Sequence, residues 1–228
     1  MMHLHQMEDS PFCEKIRLLL QYKNLPYETV EYGASAITRI RRLNPAGKVP
    51  VLIDGEQTIS DSTDICRYIE LRCPEKSVYP DCAERSAQVH LLEDWADESL
   101  YFMEMYFRFA IKANSRKMLP LLLAHDPAWL HWLVGPLVIF GVKGILGRQG
   151  TGRKTTEQVQ NDLRIHIGAL ESMLGNQLFL TTDHLTMADL SVYVQLKRIH
   201  QTPEGSAVIS ESLIVVNWLT RIQELTES

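Results

Sequence analysis

The texture of the chain changes once, near Cys73-Pro74, and that change limits what it can fold into. Before it, short strand-like segments alternate with helical spacing. Met2–Met7 reads as a half-buried strand. Ser10-Pro11 then opens a helix, since serine caps well, proline is tolerated at the first helical position, and Ile16, Leu19, Leu20 and Lys23 recur at helical intervals. Asn24-Leu25-Pro26 ends that helix, and Tyr27–Tyr32 reads as a second strand. A basic loop or helix around Ile37–Leu43 precedes two more strands, Val49–Ile53 and Gln57–Ser60, joined at Asp54-Gly55. Ser62–Leu71 places Ile65, Tyr68 and Ile69 on one helical face. The pattern is βαβ followed by ββα, a small mixed sheet with helices.

Everything after the Pro-containing linker reads as helix. A long one is expected over Glu84–Asn114, with Leu91, Trp95, Leu100, Phe102 and Met105 supplying apolar faces. Others are expected over Thr156–Leu174 and Met187–His200. Thr186-Met187-Ala188-Asp189 has the form of a capping box, with Leu185 and Leu190 placed for a hydrophobic staple. The expected layout is an α/β domain over residues 1–75, a linker over 76–84 and an all-helical domain over 85–228.

With 23 basic against 28 acidic side chains in 228 residues, the net charge is -5. No basic patch calls for nucleic acid. Four irregularly spaced cysteines make neither a disulfide scaffold nor a C-x-x-C, and no His/Cys cluster has metal spacing. The first nine residues lack a basic-then-apolar signal pattern, so a cytoplasmic location is expected. The apolar run Ala128–Leu146 is interrupted by His131, Pro136 and Lys143, and reads as a buried helix or dimer face; membrane contact is not expected. Glycines 141, 144, 147 and 150 recur every third residue, a stripe that suits close helix approach. Gly147–Thr155 departs from a phosphate loop because Arg153 separates the last glycine from Lys154 and because no strand precedes it.

Three segments carry chemistry. Ser10-Pro11-Phe12-Cys13 sets a hydroxyl and unpaired backbone N–H groups at a helix N-terminus, where an anion is favoured, although a serine there is also an ordinary cap. Cys13, one turn in, reads as tucked beneath the helix. Gly47-Lys48-Val49-Pro50 puts a proline at a strand entrance, an edge position or a cis bond. Asp61-Ser62, at a strand-to-helix junction, can cap the helix or hold a ligand's ammonium and carboxylate.

Together, in this order and spacing, these segments resemble the glutathione transferase superfamily, and specifically its serine-type members, over essentially the whole chain. Asn44–Leu52 is similar to the family's loop and cis-proline strand, Asp61-Ser62 to its acidic-Ser pair, and Thr186–Asp189 to the box of its helical domain. The resemblance implies a thioredoxin-like N-terminal domain followed by an all-α helical bundle. It implies that Ser10 donates a hydrogen bond to the glutathione sulfur and that Val49, beside cis-Pro50, pairs with the cysteinyl unit. It further implies that Asp61 and Ser62 hold the γ-glutamyl end, with Lys48 at the glycine end and Phe12 beside Ser10 in the glutathione site. Tyr101, Met105 and Tyr106 are candidates for a hydrophobic substrate subsite, or equally for core packing. Glutathione is then the co-substrate, with no metal.

The activity implied is conjugation of glutathione to a small hydrophobic electrophile by a homodimer. Two alternatives stand beside it. One is a thiol or peroxide reductase working through Cys13; the other is a non-catalytic module that uses the fold for binding or regulation. Asp61 stands where the family more often has glutamate or glutamine, and the first strand carries His3 and His5 where tyrosine-type members have tyrosine.

Overall fold

Met2–Gln6 forms β1, buried at Met2, Leu4 and Gln6 and half-buried at His3 and His5, the period of two expected of a strand with one covered face. Pro11–Tyr22 forms α1 and Tyr27–Glu31 forms β2, which pairs parallel to β1. After a 3₁₀ turn at Ala34–Ala36 and α2 (Ile37–Leu43), β3 (Val51–Asp54) and β4 (Gln57–Ser60) run antiparallel as a hairpin. Its two-residue loop begins at Gly55, whose φ of +61° is the left-handed value glycine adopts without a Cβ penalty. β3 starts two residues later than expected because Pro50 has no N–H for the ladder. α3 (Ser62–Arg72) closes the set, and the sheet order is β2-β1-β3-β4. Leu4, Leu52, Ile16, Leu19, Leu20, Ile65 and Ile69 have no exposed surface and make the core between sheet and helices. Lys23, at the end of α1, donates to the carbonyls of Cys73 (2.7 Å) and Glu75 (3.1 Å) and pairs with Glu70 at 2.8 Å, fastening α1 to the end of α3.

The computed structural model describes residues 1–226, in two units. The first is Met1–Lys76 together with Arg116–Val138; the second is Ser77–Ser115 with the chain from Ile139 onward. The inclusion of 116–138 in the first unit departs from a simple two-domain reading of the sequence. Asp126 explains it. Its carboxylate accepts hydrogen bonds from Ala34 N (2.8 Å), Ser35 N (3.0 Å) and Ser35 Oγ (2.5 Å). His125 lies 3.4 Å from the Glu8 carboxylate and 3.8 Å from that of Glu31. A Cβ on Gly33 would fall 2.3 Å from Asp126 Oδ1, a clash with a side chain pinned by three hydrogen bonds. Gly33→Ala is therefore expected to lower stability by about 1–3 kcal/mol in urea unfolding, and by much less when Asp126→Ala is already present. An equal loss in both backgrounds would show that the contact is not the cause.

In the second unit, α4 (Ala83–Trp95) continues through a π-helical turn at Ala96–Leu100, α5 (Tyr101–Met105) and a second π-turn at Tyr106–Ala110. The extended backbone of Ile111 ends this run, short of the expected Asn114. Leu100 and Met105 are buried as expected, but Leu91 is 72% exposed, because the inward face is set by Val89, Glu93, Ala96 and Leu100. α6 (Lys112–Leu122) and α7 (His131–Gln149) follow, then α8 (Thr156–Leu174), α9 (Met187–His200), α10 (Pro203–Ile209) and α11 (Leu213–Thr226). α9 is buried along almost its whole length and contacts α4, α5, α10 and α11.

Of the two readings of Ala128–Leu146, a buried helix or a dimer face, burial within the chain is overturned in part. The segment is helical, yet Trp129, Trp132, Leu137 and Phe140 are 71%, 75%, 63% and 80% exposed. An apolar composition all round gives no signal for which side turns inward, and here only Gly135 and Leu146 are buried between His131 and Gln149. Among the described residues, Ala128–Gln149 is the one helix long and apolar enough to cross a bilayer by length and composition.

Candidate functional site

Strand direction brings the three sequence segments to one end of the sheet. β1 runs toward Gln6, and antiparallel pairing sets Val51, the first residue of β3, opposite His5. The hairpin then sets Ser60, the last residue of β4, opposite Val51. The β1–α1 turn with Ser10, the Lys48-Val49-Pro50 entry and the Asp61-Ser62 junction therefore leave from the same sheet edge within the first unit.

Ser10 is the N-cap of α1, and its Oγ accepts from the backbone N–H of Cys13 at a long 3.4 Å. As an acceptor in that contact, the hydroxyl keeps its own proton for donation elsewhere. Pro11 fills the first helical position, where no N–H is needed. Cys13 has no exposed surface. Burial pushes its thiol up to about 11, against smaller opposing pulls from Ser10 and the Met7 backbone. Around the turn, Arg17 donates to Gln6 Oε1 (2.6 Å) and to the Glu8 carbonyl (3.1 Å), Gln6 donates to Glu31, and His5 Nδ1 lies 2.8 Å from the Tyr32 hydroxyl.

The Val49–Pro50 peptide is cis, one of the two arrangements the sequence left open. Asn44, nearly buried, stiffens the approach: its Nδ2 donates to the Lys48 carbonyl at 2.9 Å and its Oδ1 accepts from Ala46 N at 3.0 Å. Hydrogen bonds and helix thus run from Asp126 through residues 34–35 and α2 to Asn44 and the backbone of Lys48. Asp61 stands at φ +96°, ψ 129°, a conformation a non-glycine residue holds only under strain. Its Oδ1 accepts from Thr63 N (2.9 Å) and Asp64 N (3.4 Å), so it does cap α3, while Ser62 is nearly buried beside it.

The remaining candidates lie in the second unit. Tyr101 is half-buried, with its hydroxyl pushed up by burial and by Glu104. Met105 and Tyr106 are only 5% and 7% exposed, and the Tyr106 hydroxyl meets the Lys154 carbonyl at 3.2 Å and Thr156 Oγ1 at 3.3 Å. Both pack their own unit. A cavity of about 830 Å³ lies wholly in this unit, lined by Tyr79, Cys82, Arg85, Asn176, Leu178 and His184 among others, and includes none of the candidate residues. Among the described residues no three His, Cys, Asp or Glu side chains converge as metal ligands. Asp126, His125 and Arg17 were missed by sequence reasoning. The first two meet partners about ninety or more positions away, and a single sequence carries no signal for that.

Residues 4–77 match the glutathione S-transferase N-terminal domain family, and residues 145–227 match the glutathione S-transferase C-terminal domain family. The chain is 24% identical over 225 residues to the isoprene-epoxide–glutathione S-transferase of Rhodococcus sp. (strain AD45), covering 94% of this chain and 92% of that protein. It is 39% identical over 70 residues to a zeta-class glutathione S-transferase of Euphorbia esula, covering 29% of this chain and 31% of that one. The crystal structure of a glutathione S-transferase from Rhodospirillum rubrum F11 superposes with a TM-score of 0.71 at 23% identity, covering 98% of this chain and 88% of the other.

Proposed function

The chain is by fold a member of the glutathione S-transferase superfamily, carrying its N-terminal and C-terminal domains in order, and we propose that it binds glutathione and transfers the glutathione thiolate to small hydrophobic electrophiles. The observation that carries this reading is Ser10 as the cap of α1, holding its hydroxyl at a helix N-terminus with its proton unspent on the cap.

The chemistry follows from the state of the thiol. A thiol of pKa ~8.5 is only about 3% ionised at pH 7. A lowering of about two units, or roughly 2.7 kcal/mol in favour of the thiolate, raises the reactive fraction some 25-fold. Ser10 donates a hydrogen bond from its hydroxyl to the sulfur, whose own proton is released to solvent, and the first N–H groups of α1 add their dipoles, both aimed where the negative charge sits. The sulfur lone pair then forms the new S–C bond as the bond from that carbon to its leaving group breaks. With an epoxide, the oxygen leaving carbon takes a proton from water.

Val49, ahead of Pro50, supplies backbone N–H and C=O to the cysteinyl unit. Asp61 and Ser62 take the γ-glutamyl ammonium and carboxylate, Lys48 the glycine carboxylate, and Phe12 packs beside the thiol. Of the three candidates for an apolar subsite, Met105 and Tyr106 pack within their own unit, which leaves the half-buried Tyr101 as the one to vary. The full-length Rhodococcus relative is named for an isoprene epoxide, an electrophile of the class proposed. A reductase working through Cys13 is disfavoured, because a sealed thiol pushed up to about 11 offers almost no thiolate near neutrality.

The test is calorimetric titration with reduced glutathione and with S-hexylglutathione. Saturable binding of both is expected. Failure of both would remove the enzyme reading and leave the fold as a binding module; binding of the alkylated form alone would show that the apolar subsite, and not Asp61-Ser62, holds the ligand.

A further inference from the structure

α2 is weakly anchored in the first unit. It has seven residues, too few to hold a helix unaided, and Ile40 is its one buried side chain. The 3₁₀ turn Ala34–Ala36 leads into it without a break. Neither piece has a side-chain cap of its own, since Gly33 and Ala36 stand at the two N-cap positions. The cap comes from Asp126 instead. One carboxylate oxygen accepts from Ala34 N, the other from Ser35 N and Ser35 Oγ, and Gly33 leaves the room that the carboxylate fills. Asp126 is nearly buried, so water competes little for these bonds.

The far end of this helical stretch is Asn44, whose backbone N–H donates to the Ile40 carbonyl at 2.9 Å. The Asn44 side chain donates in turn to the Lys48 carbonyl. That carbonyl belongs to the same planar peptide unit as the Val49 N–H, the group assigned above to the cysteinyl unit of glutathione. Asn44 therefore aims that N–H, and the stretch capped by Asp126 places Asn44. The α6–α7 turn also reaches the other wall of the site. His125 Nε2 lies 3.4 Å from the carboxylate of Glu8, two residues before Ser10 and inside the turn closed by Ser10 N on the Met7 carbonyl.

We propose that Asp126 is a positioning residue of the glutathione site, which caps residues 34–43 from outside and thereby orients the Lys48–Val49 peptide. The ligand in this proposal rests on the glutathione reading; the brace does not. Residue 126 falls in neither of the two matched domain segments, so the brace comes from a part of the chain outside both. A carboxylate that only docked the α6–α7 turn would change nothing beyond residues 34–36.

Hydrogen exchange of Asp126→Ala tests the brace without any ligand. Faster exchange is expected at Ala34 and Ser35, which lose their acceptor, and also at Ala46 and Gly47, whose N–H groups are held by Asn44. Acceleration confined to residues 34–36 overturns the proposal, whatever the chain binds. Calorimetric titration and steady-state kinetics test its use. Glutathione is expected to bind Asp126→Ala about 10-fold more weakly than wild type, with kcat at saturating glutathione within about twofold. Asp126→Asn keeps one oxygen for Ser35; it is expected to fall between, and carries the same tests if the alanine variant does not fold. Asp189→Asn, destabilised in the second unit, is the control for lost stability and is expected to bind glutathione as wild type does. Equal affinity in wild type and Asp126→Ala, or an equal loss in Asp189→Asn, overturns the positioning role. A wild-type protein that binds no glutathione removes the reading of the site, and the exchange pattern then decides the brace by itself.

Discussion

Replacing Ser10 with alanine is expected to lower kcat/KM for glutathione conjugation about 100-fold, the loss typical of removing one preorganised donor to a developing or resident anion. On the proposed assignment the loss falls in kcat, because the hydroxyl acts on the sulfur while the rest of the tripeptide is assigned to Val49, Lys48 and the Asp61-Ser62 junction. Stability changes little. The contact from Cys13 N to Ser10 Oγ is 3.4 Å long, so the cap contributes at the low end of the usual 0.5–2 kcal/mol. Cys13→Ser is the companion variant. Its sulfur is sealed beneath α1 and pushed up to about 11, so turnover should survive. Steady-state kinetics at pH 6.5 on both variants decides the matter. Unchanged turnover in Ser10→Ala removes the hydroxyl from the mechanism, and collapse in a folded Cys13→Ser returns the chemistry to the thiol.

Asp189→Ala is expected to be the most destabilising single change outside the sheet core. Its carboxylate has no exposed surface and accepts four hydrogen bonds. Two come from Thr186, through N (3.0 Å) and Oγ1 (2.7 Å), at the start of α9. The others come from Leu180 N (2.9 Å) in the preceding loop and Trp218 Nε1 (3.0 Å) on α11. Truncation strands these donors where water cannot reach them, and the expected loss is about 4 kcal/mol, or roughly 10 °C in Tm for a chain of this size. Asp189→Asn turns an amide toward N–H donors and should recover only part of that. Burial pushes the Asp189 carboxyl up, against its hydrogen bonds. A carboxyl with a raised folded pKa adds most stability below its unfolded pKa and loses that share as pH rises through the folded value. Mild acid therefore does not by itself break this hub. Calorimetry of Asp189→Ala beside Asp183→Ala, which alters an exposed carboxylate, is the check. A shift under about 2 °C for Asp189→Ala would mean that the neighbouring turns rearrange to satisfy the stranded groups.

What the sequence disclosed were features with local chemistry. Ser10-Pro11, Pro50, Asp61-Ser62 and Thr186–Asp189 each combine a conformational preference with a hydrogen-bonding duty over three or four residues, and each holds its expected place in the chain. α8 and α9 occupy the spans their periodicity predicts. The failures are non-local. Leu91 sits on a helix with apolar residues on more than one side, so spacing did not decide which side turns inward. α7 is apolar on every side, which reads as burial until its neighbours are known. Asp126 caps a turn ninety-two residues earlier in the chain, and nothing near it in sequence distinguishes it from other loop acids. The strain at Asp61 also needed backbone angles to be seen.

The central claim is that Ser10 and the N-terminus of α1 hold a glutathione thiolate. Titrating the thiol of bound glutathione by its ultraviolet thiolate absorbance tests this directly. The account predicts a saturable complex with wild-type protein whose thiol ionises about two units below the free value of ~8.5, and a return toward that value in Ser10→Ala. A wild-type complex whose thiol keeps its solution pKa, or one whose lowered pKa is untouched by Ser10→Ala, would contradict it.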